Sequence, residues 1–287
     1  MKMKIGFIGM GNMAQALCEG FINTCNIPGT DILAYAPHRD KLESNAKRIG
    51  FTPADSPVAL AEASDMIFIA CKPYQIEQVL GEIGEALSGK ALVSVAAGWD
   101  YNRFSYLLAS LSVSLRAETD SEEDAEEPEA LIDTVRVQCI MPNTPAMVGE
   151  GVFLVEQENS LTPEEREALL FLLSALGLVH ELPSSLMGIG GALTGCSPAF
   201  VDLLLEAYGD AAVKYGIPRA DAYRLIAQSV LGSAKLALET GEHPGVLKDR
   251  VCSPAGTTIC GVQALEKNGF RAACMASIDA IMEKKKS

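Results

Sequence analysis

The chain has 287 residues, 48% hydrophobic and 21% charged, with a formal net charge of −14 at pH 7. That length is enough for one large core or two moderate ones, and the acidity argues against nucleic-acid binding, which needs a basic face. No apolar run reaches the roughly 18 residues of a membrane span, and glycines and Asn12 interrupt the apolar start too early for an export signal. A soluble, cytoplasmic protein with no membrane partner is expected.

Strand-like runs KIGFIG, DILAYA, MIFIAC, ALVSVA and VQCIMP alternate with helix-like stretches at Asn12 to Phe21, Arg39 to Ile49, Pro57 to Ala63 and Tyr74 to Leu87. Near-continuous apolar strands separated by helices predict a parallel sheet covered on both faces. Nine acids lie between Glu118 and Asp133. So polar a run reads as a solvated loop at about 118–130, with a docking segment as the alternative. GVFLVE adds a strand, followed by a helix in SLTPEEREALLFLLSALG capped by Ser160 or Thr162. From Ser184 onward the pattern is helical. A long apolar helix runs through LMGIGGALTGCSPAFVDLLLEAYGDAAVKYG, and a second has Pro218 near its start and Gly241 beyond its end. A third spans Thr257 or Thr258 to Lys267, and a last Arg271 to Glu283. The first of these helices is apolar over most of its circumference and needs a cover, for which a partner subunit is the natural source. The expected fold class is α/β: a Rossmann dinucleotide-binding domain over 1–183, then an all-helical dimerisation and substrate-binding domain over 184–287.

The strand KIGFIG leads directly into G-M-G-N-M-A at Gly9 to Ala14. This spacing suits a dinucleotide: Gly9 for the tight turn, Gly11 for close approach of a pyrophosphate, Ala14 for helix–strand contact, with the helix-start amides around Met10, Asn12 and Met13 facing the phosphates. The second strand ends at Tyr35 and Ala36 without the carboxylate that an NAD ribose usually meets, and Arg39 follows. A guanidinium there suits a 2′-phosphate, although Asp40 is available to pair with it. NADP is therefore favoured, with NAD as the alternative. Later strand ends at Ala70, Lys72 and Pro73 and at Ala97 and Gly98 offer small residues for a flat nicotinamide, and Ser56 joins the cofactor set. The eight cysteines form no C-x-x-C pair and there are three histidines, so no metal site is expected and most thiols read as small buried groups.

MPNTPAMVGEG at Met141 to Gly151, HPGVLKDRVCSPAGTTICGVQALEKNGF from His243 to Phe270, ALTGCSPAFVDLLLEA, ACKP and SVAAG together resemble the pyrroline-5-carboxylate reductase family over nearly the whole chain. The resemblance implies an interlocked homodimer of helical domains, larger rings of dimers in some members, and reduction of pyrroline-5-carboxylate to L-proline with NADPH or NADH. It also implies that Thr258 hydrogen-bonds the substrate's ring nitrogen as the catalytic residue, with Val251, Ser253, Gly256 and Thr257 completing the substrate site. Where the family usually has two glycines this chain has Ala255 and Gly256, and the acidic insertion is long for the family.

The chemistry fits these residue types. A helix start at SPAGTT offers free amides to a substrate carboxylate, while an ordinary capped helix entrance, with Ser253 or Thr257 as cap, is the alternative. Asn143 either orients the cofactor or, preferably, braces its loop; His243 reads as structural. A related dehydrogenase would want a lysine on the first helix of the second domain, where only Lys214 stands near the far end. A catalytically altered, regulatory paralogue is the reading from another class.

Overall fold

The computed structural model describes residues 3–119 and 134–286. The acidic stretch expected as a loop lies, beyond Thr119, outside these residues. One eight-stranded sheet organises the first part of the chain, with strands β1 (Ile5–Ile8), β2 (Ile32–Tyr35), β3 (Thr52–Pro53), β4 (Met66–Ile69), β5 (Ala91–Ser94), β6 (Arg136–Met141), β7 (Gly151–Asn159) and β8 (Gly177–Leu182). Their order is β3-β2-β1-β4-β5-β6-β7-β8, parallel throughout except where β7 runs antiparallel to β6. Helices α1 (Asn12–Asn23), α2 (Arg39–Ile49), α3 (Pro57–Ala63), α4 (Ile76–Ile83), α5 (Tyr101–Thr119) and α6 (Pro163–Ser174) accompany it. β1, β4 and β5 are buried at every position, as strands covered on both faces must be. One apolar layer joins α1 and α6 through Phe7, Phe21, Phe68 and Leu173; the other joins α3, α4 and α5 through Leu60, Leu80 and Phe104.

Local chemistry explains the helix starts. Ser56 caps α3 by accepting from the Ala59 amide at 3.1 Å, with Pro57 at the first helical position. Thr162, rather than Ser160, caps α6, and Glu165 reaches back to the Thr162 amide at 3.0 Å to close a capping box. Ser160 instead accepts from the Val137 amide at 2.8 Å, tying the end of β7 to β6.

Helices α7 (Ser184–Gly195), α8 (Ser197–Lys214), α9 (Arg219–Thr240), α10 (Pro244–Arg250), α11 (Thr257–Lys267) and α12 (Phe270–Lys286) complete the chain, and the second part contains no strand among the described residues. Gly241 ends α9 in a left-handed conformation, as its sequence position predicts. The chain divides into two compact units, 1–195 and 196–287. Against the expectation that no apolar run is long enough for a membrane span, Ser184–Lys214 is apolar and long enough to cross one by length and composition alone. Glycines, serines and threonines punctuate that stretch, which is why a strict run misses it. In the chain taken singly, α8 buries only Gly209 and α9 only Ala222, while Leu203, Leu225, Leu231 and Leu236 are exposed.

Candidate functional site

The parallel register sets Ile8, Tyr35, Ile69 and Ser94 side by side at the carboxyl edge of the sheet. The turns that follow β1, β4 and β5 therefore open on the same edge, where open α/β sheets bind ligands. The Gly9 amide donates to the Tyr35 carbonyl at 2.8 Å, and the Ala70 amide to the Ile8 carbonyl at 2.8 Å. Gly9 has φ +99°, and a Cβ built there would stand 2.6 Å from the Ala70 carbonyl. Its requirement for glycine is internal to the fold. Gly11 is different. Its backbone is extended (φ −78°, ψ −176°), which any residue adopts, and a Cβ there meets nothing within 4 Å. It is the N-cap of α1 without a side-chain hydrogen bond to the helix amides. Open space at a glycine, in front of uncapped amides at a positive helix end, fits a dinucleotide pyrophosphate. Ala14, buried behind it, brings α1 close to the sheet.

Arg39 opens α2 beyond the end of β2, and no side chain caps that helix either. Its Nε donates to Glu43 at 2.8 Å and its Nη1 to the Ala54 carbonyl at 3.0 Å, with Asp55 at 3.1 Å. The partners are thus Glu43 and Asp55, not Asp40. The Glu43 hydrogen bond foremost, with Asp55 adding to it, holds the guanidinium's pKa above its ordinary value. A fixed cation, half exposed at a helix start, fits a 2′-phosphate. Arg39→Ala should raise the KM for NADPH about 10- to 100-fold, by loss of charge-assisted hydrogen bonds, and leave that for NADH nearly unchanged. Steady-state kinetics with each donor checks this.

In the ACKP turn, the Lys72 amide donates to Gln75 Oε1 at 3.1 Å, and Pro73 starts a 3₁₀ turn. Ala97 and Gly98 lie on a loop fixed at both ends. Ser94 Oγ accepts from the Ala96 amide at 3.2 Å on one side, and the buried Glu156 accepts from the Tyr101 amide at 2.9 Å on the other. Arg103 braces the middle, stacking 4.0 Å over the Trp99 ring and donating to the Gly98 carbonyl at 3.3 Å. Sequence reasoning missed Trp99, Arg103 and Glu156, and missed α5 with them. Asp100, which accepts from the Arg103 amide at 2.8 Å, was the available N-cap signal.

Asn143 is a brace. Its Oδ1 accepts from the Val152 amide at 2.8 Å and its Nδ2 donates to the Thr194 carbonyl at 3.0 Å, joining the MPNTP turn to β7 and the end of α7. Asn143→Ala deprives two backbone groups of this partner at a buried site and should cost about 2–3 kcal/mol, read as a lower midpoint in urea.

The proposed substrate residues are gathered in the second unit. Val251 follows the end of α10, and Ser253 to Gly256 form a turn in which the Gly256 amide donates to the Ser253 carbonyl at 3.0 Å. Gly256, not Ser253 or Thr257, is the N-cap of α11, and no side chain caps the helix. The first amides of α11, at Thr257, Thr258 and Ile259, are thus presented outward, with Thr257 and Thr258 exposed. Ala255 stands at φ +59°, the left-handed region. Ala255→Gly should relieve about 1–2 kcal/mol of strain against a smaller gain of unfolded-state entropy, giving a net stabilisation of about 0.5–1 kcal/mol in urea unfolding. His243 caps α10 through Nδ1, accepting from the Gly245 amide at 3.0 Å, a structural role.

Residues 184–287 match the model of the pyrroline-5-carboxylate reductase dimerisation family, and residues 4–98 that of NADP oxidoreductase, coenzyme F420-dependent. A pyrroline-5-carboxylate reductase of Escherichia coli is 39% identical over 285 residues, covering 99% of this chain and 97% of its own length. One from Methanosarcina acetivorans is 36% identical over 284 residues, with the same shares. Among solved structures, the Plasmodium falciparum pyrroline carboxylate reductase with NADP bound superposes with a TM-score of 0.82 at 29% identity, covering 99% of this chain and 97% of its own.

Proposed function

The chain belongs to the pyrroline-5-carboxylate reductase family, and from that membership we propose that it reduces pyrroline-5-carboxylate to L-proline, with NADPH as the favoured and NADH as the alternative donor. The observation that carries the reading is a pair of glycine-led helix starts without side-chain caps, Gly11 before α1 and Gly256 before α11. One suits a dinucleotide phosphate and the other a small carboxylate.

A bound nicotinamide cofactor would supply the hydride. The chain's residues supply everything else. Amides from Met10 to Met13 hold the pyrophosphate against the open side of Gly11, and Arg39 takes the 2′-phosphate. Ser56, Lys72 and Pro73 line the approach to the ribose and phosphates. Ala70, Ala97 and Gly98 leave room for a flat ring. On the substrate side, the amides of Thr257 and Thr258 hold the carboxylate, while Val251 and Ser253 wall the ring. Thr258 hydrogen-bonds the ring nitrogen, keeping the protonated imine carbon turned toward the donor face. Hydride adds to that carbon, the C=N π pair becomes the nitrogen lone pair of the protonated imine's product, and the proton already on nitrogen stays there.

The domain boundary is placed at 183/184, and the exposed apolar residues of α8 and α9 are covered by a second copy in an interlocked homodimer, itself able to form a ring of dimers. The test is the loss of NADPH absorbance on adding pyrroline-5-carboxylate to the purified chain. Oxidation dependent on that substrate is expected. Tight NADPH binding with no oxidation would overturn the reading.

A further inference from the structure

The loop that carries Ala97 and Gly98 is anchored at its far end by a carboxyl from β7. Glu156, on β7, is fully buried, and its Oε2 accepts from the Tyr101 amide at 2.9 Å. Its Oε1 meets the hydroxyl of Ser184, the first residue of α7. That hydroxyl also lies 2.7 Å from Glu158 Oε2, which accepts from the Ser184 amide at 3.1 Å.

The proton count at Ser184 decides the state of this cluster. One hydroxyl has one proton to give, yet two carboxyl oxygens contact it. Glu158, exposed and already accepting from the Ser184 amide, is the natural ionised partner, so the second contact requires a proton on Glu156. A neutral acid fits there in full: its carbonyl oxygen accepts from Tyr101, and its hydroxyl donates to Ser184.

We propose that Glu156, as the neutral acid, is a positioning residue for the nicotinamide loop, tying the start of α5 to the start of α7. The inference rests on the assignment of Ala97 and Gly98 to the nicotinamide site. Three further groups face Glu156. They are Cys139 from β6, whose thiol contacts the same carboxyl, Asp100 from the loop, and Glu158 from β7 itself. Burial foremost, with Asp100 adding to it, pushes the Glu156 pKa above the ordinary carboxylate range, against the hydrogen bonds from the Ser184 hydroxyl, the Tyr101 amide and the Cys139 thiol, which lower it. Glu158 is held below that range, first by the Ser184 hydroxyl. The sign follows. The folded chain holds the Glu156 proton more tightly than the unfolded chain does, so the tie is intact at low pH and is lost as pH rises through the folded-state value.

The test compares Glu156→Gln and Glu156→Ala with wild type in NADPH fluorescence titration and steady-state kinetics from acid to alkaline pH. Glutamine reproduces both contacts, an oxygen toward Tyr101 and an NH₂ toward Ser184, without a proton to lose. Glu156→Gln is expected to keep the NADPH Kd within about twofold of wild type at the low-pH end, where the acid is neutral. Wild-type Kd is expected to rise as Glu156 loses its proton, and the glutamine variant to lack that rise. Glu156→Ala should raise Kd about tenfold with a smaller change in kcat. Three results would overturn the proposal: a glutamine variant as impaired as the alanine variant at the low-pH end, a glutamine variant with the wild-type rise unaltered, or a wild type whose Kd does not rise with pH. Because the titration needs no imine substrate, failure of the wild type to turn over pyrroline-5-carboxylate would count against the assigned reaction and leave this test readable.

Discussion

Thr258→Ala should lower kcat for NADPH-dependent reduction of pyrroline-5-carboxylate about 100-fold, the loss typical of removing one preorganised hydrogen-bond partner at a reacting centre. Thr258 is the second residue of α11 and its side chain is exposed in the chain taken singly. Truncating it removes no buried contact of its own unit, so the thermal midpoint should stay within the range of an ordinary surface change, about 0.5 kcal/mol. NADPH binding, assigned to the first unit, should also be unaltered. Thr258→Ser keeps the hydroxyl and should recover most of kcat. If the alanine variant turns over at the wild-type rate, Thr258 has no part in the chemistry. If serine fails to recover it, the methyl group rather than the hydroxyl matters.

The second large effect separates two glycines two residues apart. Gly9→Ala places a methyl 2.6 Å from the Ala70 carbonyl, at φ +99°. Overpacking and backbone strain together cost about 3 kcal/mol or more, a large share of the about 5–15 kcal/mol that a typical protein has to lose. That variant should express poorly or unfold at much lower urea concentration. Gly11→Ala places its methyl in open space on extended backbone. Its stability should change by less than about 1 kcal/mol, while its NADPH Kd should rise about 100-fold, near 3 kcal/mol. Circular dichroism and fluorescence titration on both variants separate the outcomes. A Gly11→Ala protein that binds NADPH like wild type would remove the pyrophosphate from this turn.

The Rossmann half was legible because its signals are local. α2 and α3 fall where the sequence places them, Arg39–Ile49 and Pro57–Ala63, since each is bounded by its own end signal: Gly50 in the left-handed conformation after α2, and Ser56 with Pro57 before α3. β3 was not legible, being two residues long. β8 was lost for a different reason. The helical reading ends at Gly177, and LVHEL after it lacks the near-continuous apolar run by which the other strands were read. α10 is a single short helix between two turns, and its His243 cap lies outside the usual Ser, Thr, Asp and Asn set.

The candidate site divides along the same line. Residues at strand ends could be named because parallel register brings those ends to one edge whatever the side chains are. The Glu156 tie could not, because its partners Tyr101 and Ser184 stand 55 and 28 residues away in the chain and carry no pattern of their own. Arg39 was found for its charge, but its partners were misjudged. A helix points Arg39 toward Glu43, one turn on, and the fold brings up Asp55 from the turn after β3.

The central assignment is Thr258 at the ring nitrogen of the substrate. The most direct measurement is a crystal structure of the full chain with NADP⁺ and proline bound. The nicotinamide C4 is expected within about 3–3.5 Å of the proline ring carbon that receives hydride, and the Thr258 hydroxyl within about 3 Å of the ring nitrogen. A proline held against the nicotinamide with no residue of 253–258, from either copy, in contact with it would remove these residues from the substrate site.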